Sequence, residues 1–362
     1  MAALPFTRGD LVKWALAALA LLALFVGIAA LQRRQTPAQV TVGQMPAQVK
    51  VGHQRHEFTP VAFHNQFAAT STPVLRVSPG DTIHTTTIDA AGADESGVRR
   101  GEAGNPQTGP FYINGALPGD TVAVHLTRLR LNRDWAISTD TLSNPAVTSE
   151  LAARMASQRH VVRWRLDIER GFATRENPPA NLAHYAVPLK PMLGCIALAP
   201  PAADPVPDTG EFGAWGGNLD FNEIVEGTTV FLPVSVPGGL LYIGDAHAAQ
   251  GDGELTGSGL ETSMDVEIRV ELLRQYSIAA PRAESSTHLM TMGLDASLDH
   301  ALRKATTSMV DWLIARHDLT LSEVSQVLGT SAEYRVSVIA RGNAGIVLKV
   351  HKDRLRSLKS GR

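Results

Sequence analysis

The stretch Val234-Ser-Val-Pro-Gly-Gly-Leu-Leu-Tyr-Ile-Gly-Asp-Ala-His-Ala-Ala-Gln-Gly-Asp-Gly-Glu254 sets the reading of the chain. Its first half is a Pro-Gly turn followed by an apolar run, the pattern of a turn leading into a buried strand. Its second half, Gly244 to Glu254, carries two aspartates, a histidine, a glutamine and a glutamate with no bulky apolar side chain among them. Three glycines there let the backbone bend sharply. A core strand does not tolerate so many polar groups without partners. Carboxylates and an imidazole are therefore expected where a strand gives way to a loop, a common address for chemistry.

Working outward, the same β pattern recurs upstream. Thr72 to Asp81 reads as a short strand closed by a Pro-Gly turn, and Asp81 to Asp89 alternates β-branched residues with the period of a half-buried strand. Gly109 to Asp120 and the run from Thr121 repeat this scheme, each time with Pro-Gly-Asp feeding a Thr-rich strand. A recurrent turn explains the echo more simply than an internal duplication. Asn144 to Asn181 reads as helical at first and then irregular. Val187 to Ala199, Phe221 to Pro233 and Met264 to Leu273 read as further strands, with a Pro-rich loop from Pro200 to Pro207. Ala301 to His317 and Thr320 to Leu328 read as two helices broken near Asp318, and closing strands are expected after Val336 and Ala344. The fold class expected is β-rich α+β: a multi-stranded sandwich or barrel-like β domain over 57–362 with a few C-terminal helices. No Rossmann or P-loop glycine pattern occurs.

Composition bounds the function classes. The 362 residues are 44% hydrophobic and 19% charged, with a formal net charge of −2. That describes a globular chain able to bury a sizeable core and without a nucleic-acid footprint. The basic end from His351 to Arg362 reads as a solvated tail. A single cysteine, Cys195, excludes an intrachain disulfide, which fits either redox compartment.

The N-terminus speaks to compartment. Trp14 to Leu31 is uncharged and almost wholly apolar, between Lys13 and the pair Arg33-Arg34. Its length is near that of a bilayer-spanning helix. We expect a short tail over 1–13, an uncleaved transmembrane anchor over 14–31 in preference to a cleaved signal, and a tether over 32–56. Basic residues flank both ends, so the positive-inside rule does not vote. The signal-like layout favours export of the large C-terminal part. His53 and His56 in the tether read as incidental.

The residues also bound the chemistry. If Asp245 and His247 are still extended they point to one side, since side chains alternate with period two. Gly251 and Gly253 can fold Asp252 and Glu254 back towards them. Carboxylate oxygens with one imidazole suit Zn²⁺, or a harder cation such as Mg²⁺ or Ca²⁺. Such a metal activates water and polarises a carbonyl, while a free carboxylate moves protons. Asp89, Asn218, Asp220 and Glu261 also sit at glycine turns or strand ends, where each equally suits a structural role: a turn cap, a left-handed residue, a surface ion pair. Cys195 lies in an apolar strand and reads as structural. No Gly-x-Ser-x-Gly elbow is present. His84 and His125 lie on alternating strands and read as core or surface residues.

Several segments together resemble the acetamidase/formamidase family, over about residues 60 to 355. They are Pro-Val-Leu-Arg-Val-Ser-Pro-Gly-Asp (73–81), Gly-Pro-Phe-Tyr-Ile-Asn-Gly-Ala-Leu-Pro-Gly-Asp (109–120), Pro-Met-Leu-Gly (191–194), Gly-Gly-Asn-Leu-Asp (216–220), Leu-Pro-Val (232–234) and Ile243 to Glu254, with Glu261 beyond. The resemblance implies hydrolysis of a small amide to a carboxylic acid and ammonia, a β-rich fold, divalent-metal sites and a homo-oligomer. Carried onto this chain, its site set is His64, Asp89, Asp245, His247 and Glu254. The expected roles are catalytic carboxylates at Glu254, Asp252 and Asp89, metal ligands at His64, Asp245, His247 and Glu261, and substrate contacts at Asn218, Asp220 and Gln250. Zn²⁺ is the preferred cofactor. The chain departs from the family at Asn114, where an acidic residue is frequent, and at Cys195. The first 56 residues lie outside the resemblance. The rival readings are a membrane-tethered protein that binds small amides without turnover, and an amidase for a larger amide.

Overall fold

The computed structural model describes residues 53–155, 160–203, 205–340 and 342–358. The expected membrane anchor and nearly all of the expected tether lie outside these residues. Among the described residues no helix is long and apolar enough to cross a membrane.

Among the described residues, twenty strands form two sheets. In chain order they are β1 (Arg55–Glu57), β2 (Leu75–Val77), β3 (Thr82–Thr87), β4 (Thr108–Ile113), β5 (Thr121–Leu131), β6 (Trp135–Thr139), β7 (Val161–Asp167), β8 (Phe172–Arg175), β9 (Ala186–Pro188) and β10 (Met192–Ala197). They continue as β11 (Phe212–Gly213), β12 (Gly216–Asn218), β13 (Thr229–Pro233), β14 (Leu241–His247), β15 (Glu261–Thr262), β16 (Met264–Leu273), β17 (Arg282–Glu284), β18 (His288–Asp295), β19 (Ala332–Ala340) and β20 (Asn343–His351). The helices are α1 (Ser149–Met155), α2 (Leu298–His317) and α3 (Leu321–Ser331).

One sheet has nine strands in the order β1-β3-β16-β5-β13-β17-β18-β20-β19. The other has eleven; its main path is β11-β12-β10-β14-β15-β6-β7-β8-β9, and β4 joins β2 to β14. Alternation along β16 and β3 sends Met264, Val266, Ile268, Val270 and Ile83 inward, where they meet Leu193, Ile196 and Ile243 in one continuous core. This is the expected β-rich α+β architecture, with the inner residues of two sheets interdigitated.

Helix α2 covers the nine-stranded sheet. Its Ala301, Ala305, Met309 and Leu313 pack on Leu289, Leu348 and Val350. The approach is close: a Cβ at Gly293 of β18 would lie 1.7 Å from the Ala301 carbonyl oxygen. The helix ends at Asp318, in a left-handed conformation with φ 54°. The second helix begins with a capping box between Thr320 and Glu323. Both helices and the break between them follow the sequence expectation.

The departures have physical reasons. The second half of 144–181 is not irregular, because 161–175 form the antiparallel pair β7 and β8. Along β7 only Val162 and Leu166 are fully buried, and Arg163 and Arg165 between them face solvent. That is the alternation of a half-buried strand, with apolar and charged residues on opposite faces. The segment from Phe221 becomes strand only at Thr229. The polar run of 244–254 does not begin as a loop. Strand β14 continues to His247, and its carboxylate and imidazole are tolerated inside because they meet each other.

Candidate active site

Strand β14 lies between β10 and β15, with β4 also paired to it. Its last residues Asp245 and His247 carry their polar groups to the same place, with Asp245 Oδ1 3.4 Å from His247 Nε2. Glu261 of β15 is the direct cross-strand partner of His247, and its Oε2 lies 3.1 Å from the same nitrogen. Asp220 arrives from the turn after β12, and Glu254 from the short 3-10 turn Asp252–Glu254. Possible ligand atoms of Asp220, Asp245 and His247 lie within 4.8 Å of one another, as do those of His247, Glu254 and Glu261. All five residues are buried.

The backbone is bent to reach this arrangement. Asp220, Asp245 and Glu254 have φ of 41°, 56° and 45°, and Asn105 beside them has 66°. Non-glycine residues cost free energy there and persist where the surroundings over-determine them. Glycine makes the room. A Cβ at Gly194 would lie 2.5 Å from Asp245 Oδ2 and 2.6 Å from Asp220 Oδ1. A Cβ at Gly259 would lie 2.4 Å from His247 Nδ1. The Pro-Met-Leu-Gly segment therefore ends in glycine because two carboxylates sit above it.

A chain of hydrogen bonds orients the imidazole. Gln250 Nε2 donates to the Asp220 carbonyl at 2.5 Å, which leaves Gln250 Oε1 to accept from His247 Nδ1 at 2.8 Å. The proton on Nδ1 turns Nε2 towards the carboxylates, the arrangement by which an outer partner fixes a metal-binding tautomer. Asn105 Nδ2 donates to Asn218 Oδ1 at 2.5 Å, and Asn218 Nδ2 donates to Asp220 Oδ2.

Electrostatics follow from burying four carboxylates beside one imidazole. Burial, with Glu254 and Asp245 nearby, pushes Asp220 well up. Burial also raises Glu261, and Glu254 is pushed up to about 8 by burial and the neighbouring acids, against the pull of His247. His247 goes the other way from its own desolvation: Glu261 and Asp245 outweigh burial and hold it well above an ordinary histidine. Burial raises Asp245 too, but His247 outweighs it and the carboxyl is held down.

These donors fit a divalent cation. Asp220 Oδ1, His247 Nε2 and Glu261 Oε2 are buried and close no hydrogen bond. The 3.1 Å approach of the last two is a charge contact without hydrogen-bond alignment. Unpaired buried donors and acceptors are costly, and a cation facing three of them removes that cost. Imidazole nitrogen with carboxylate oxygens is a donor set that Zn²⁺ accepts and that Ca²⁺ or Mg²⁺ accepts less fully. The cluster opens into a cavity of about 120 Å³ whose polar wall is Asn105, Asn218, Asp245, Glu254 and Glu261. Phe212 and Val338 contribute apolar wall.

Of the ten residues singled out from sequence, seven gather here: Asn218, Asp220, Asp245, His247, Gln250, Glu254 and Glu261. Asp220 is a candidate ligand rather than a substrate contact, and Gln250 positions His247. Three lie apart. Asp252 points outward, held by Arg335 Nε at 2.5 Å and Nη2 at 2.8 Å and by Asn222. Asp89 is consumed by Arg133 Nη2 at 2.7 Å and by the amides of Ala91 and Ala93. His64 is half-buried, edge-on to Tyr242 at 5.8 Å between ring centroids, and belongs to neither ligand group. Burial lowers its pKa. Asn105, Arg133 and Gly194 were not singled out. Arg133 anchors Asp89 and donates to the Glu261 carbonyl at 3.3 Å. The turn chemistry around Gly104-Asn105-Pro106 was the one local signal.

Comparisons with known proteins bear on the family and the fold. Residues 180–313 match the acetamidase/formamidase family. A formamidase from Methylophilus methylotrophus is 39% identical over 71 residues, 18% of this chain and 17% of that protein. The sequence matches thus span less than a fifth of the curated relatives' length. The fold match is far longer. An acetamidase from Yersinia enterocolitica superposes with a TM-score of 0.75 at 26% identity, over 86% of this chain and 96% of that one. An acetamidase from Bacillus halodurans gives 0.70 at 27% identity, over 84% and 99%. Over residues 180–313 the chain thus matches the acetamidase/formamidase family, and its fold is similar to that of solved acetamidases along most of its length.

Proposed function

We propose that this chain hydrolyses a small aliphatic amide, of the formamide or acetamide type, to a carboxylic acid and ammonia, and that it depends on a divalent metal, Zn²⁺ by preference. The observation that carries the reading is the cavity of about 120 Å³ lined by Asp245, Glu254 and Glu261, with Asp220 and His247 clustered with these acids. It is well below the roughly 300–1,000 Å³ of drug-sized pockets, which favours a substrate of a few heavy atoms. The names of the relatives, formamidase and acetamidase, support the same class.

Asp220, Asp245, His247 and Glu261 would hold the cation. When bound, it supplies a Lewis acid for the amide carbonyl and makes water a stronger nucleophile. Glu254 lines the cavity; without metal, burial and the neighbouring acids raise its carboxyl to about 8, and a cation on the residues beside it would draw it down towards the ionised form that a general base needs. It takes a proton from the attacking water as the C–O bond forms. It returns that proton to the nitrogen as the C–N bond breaks, so that ammonia leaves. Asn105 and Asn218 form a polar edge that can orient the amide group. Cys195 offers no competing nucleophile: it is fully buried, and burial pushes its thiol well up.

The proposal extends to placement. The apolar run from Trp14 to Leu31 tethers the domain to a membrane, the domain is exported, and the protein forms a homo-oligomer. Ammonia release from formamide and acetamide by the full-length chain tests the activity. Glu254→Gln should lower kcat by about 100-fold or more, the scale of a lost general base, while metal content stays. Equal turnover in the variant would remove Glu254 from the mechanism.

A further inference from the structure

A second cavity, of about 400 Å³, lies between helix α2, strands β17 and β18, and the segments around Gly213 and Pro281. Its size falls within the range of ligand pockets, roughly 300–1,000 Å³. Pro281, Met292 and Leu294 give it an apolar wall. Arg282 lies in the same wall and is 6% exposed.

The partners of Arg282 are all neutral. Its Nε donates to Ser308 Oγ at 3.2 Å, its Nη1 to the Tyr276 hydroxyl at 3.4 Å, and its Cζ stands 5.3 Å from the Trp312 ring centroid. No carboxylate forms an ion pair with it among the described residues. Asp311 lines the cavity and its charge is felt by Arg282, but the two are not in contact distance for an ion pair. The other buried arginine, Arg133, meets a carboxylate directly. Burying a guanidinium without an opposite charge is costly, and burial indeed lowers the pKa of Arg282. Arg303 and Lys304 also line the cavity. Lys304 is engaged by Asp295, whereas Arg303 is exposed and forms no ion pair among the described residues. The cavity therefore carries an excess of positive charge over an apolar bed.

We propose that this cavity binds a small organic carboxylate with a short apolar body. The carboxylate sits on the Arg282 guanidinium, for which a planar bidentate acceptor is the natural match. The apolar body lies along Pro281, Met292 and Leu294. The site is separate from the metal cluster, but the two share strand β11: Phe212 borders the catalytic cavity and Gly213 the second one.

Calorimetric titration of the full-length chain with hexanoate tests this, with a chelator present to suppress any binding of the acid at a metal. Hexanoate should bind with a Kd of about 1 mM or tighter, and neutral hexanol at least about tenfold more weakly. Arg282→Met should weaken hexanoate by a similar factor, but Arg282 is buried and that variant can fail to fold. Thr307 offers a second handle, since it is an exposed residue of α2 on the same cavity. Thr307→Glu places a competing carboxylate there and should weaken hexanoate about tenfold, whereas Thr307→Gln should stay within about twofold. No binding of hexanoate at about 10 mM by the folded chain, or equal binding of hexanol, would overturn the proposal. So would undiminished binding by Thr307→Glu.

Discussion

His247 and Glu261 face each other directly across the β14–β15 ladder, with Nε2 3.1 Å from Oε2. The two strands thereby set a buried imidazole beside a buried carboxylate, and loop contacts from Gln250 and the Gly259 amide hold their other atoms. Sites built on strands are held more closely than sites on loops. Glu261→Gln keeps the shape and the amide contact from Gly259 but removes the charge. We expect metal affinity and turnover both to fall by about 100-fold, at the upper end of losses known for outer partners of metal ligands. Metal analysis after dialysis, beside steady-state kinetics, checks this. Unchanged metal content would argue that Glu261 is not a ligand.

Gly194 is a backbone position where the site has no room for a side chain. In Gly194→Ala the new methyl meets Asp245 Oδ2 and Asp220 Oδ1 at 2.5 and 2.6 Å. Overpacking of this kind costs about 1–3 kcal/mol. The variant should fold, melt at lower temperature and lose most amide turnover, because both carboxylates must move. Thermal melts with turnover measured on the same sample read both effects. Full activity would mean that the two carboxylates need not stay where they lie.

The buried acids set the pH dependence of the chelated protein. Glu254 is raised from its ordinary 4.5 to about 8, so the folded state prefers it protonated. That preference is complete below about 4.5 and is lost as pH rises through about 8, on the order of a few kcal/mol in all. The raised His247 acts in the same direction, losing its contribution above its ordinary 6.5. Asp245 is held down, so its contribution is lost only under acid and leaves this window untouched. The melting temperature of chelated protein should therefore fall from pH 5 to pH 8, and Zn²⁺ should reduce the fall. A melting temperature that climbs over this range would contradict the account of the cluster.

Asp252 and Asp89 are predicted to act structurally. Asp252 is partly exposed and paired with Arg335, so Asp252→Asn should cost at most about 1 kcal/mol and leave turnover within a few fold. Asp89 and Arg133 are both 1% exposed, and Asp89→Asn leaves a buried guanidinium without its charge partner, a loss of about 3–5 kcal/mol. Urea denaturation separates the two. A collapse of kcat in Asp252→Asn with stability intact would restore it to catalysis.

The chain shows why some of this could be read from sequence and some could not. The α2–α3 break at Asp318 and the strand Met264–Leu273 rest on local periodicity, which the sequence displays. Asp245, His247, Glu254 and Glu261 were legible because polar residues cluster beside a buried strand. Asp252 looked equivalent, but the turn around Gly253, with φ 79°, separates it from Glu254 and aims it at Arg335, 83 positions further on. The pairing of Asp89 is hidden for the same reason, since its partner Arg133 is 44 residues away. The need for Gly194 arises only when Asp220 and Asp245 are brought over it, a contact across strands that no local pattern carries. Strand β7 was legible too: Val162 to Asp167 alternates apolar and charged residues with the period of a half-buried strand, which the reading of this stretch as irregular passes over.

The central claim is that the buried cluster is a metal site that drives amide hydrolysis. Its most direct test is ammonia release from acetamide by the full-length chain after chelation and then during titration with Zn²⁺, with bound metal measured on the same samples. The account predicts that release disappears on chelation and returns in proportion to bound metal, and that His247→Asn neither binds the metal nor recovers. Release that survives complete removal of metal, or a folded, metal-loaded protein that frees no ammonia from acetamide or formamide, would contradict it.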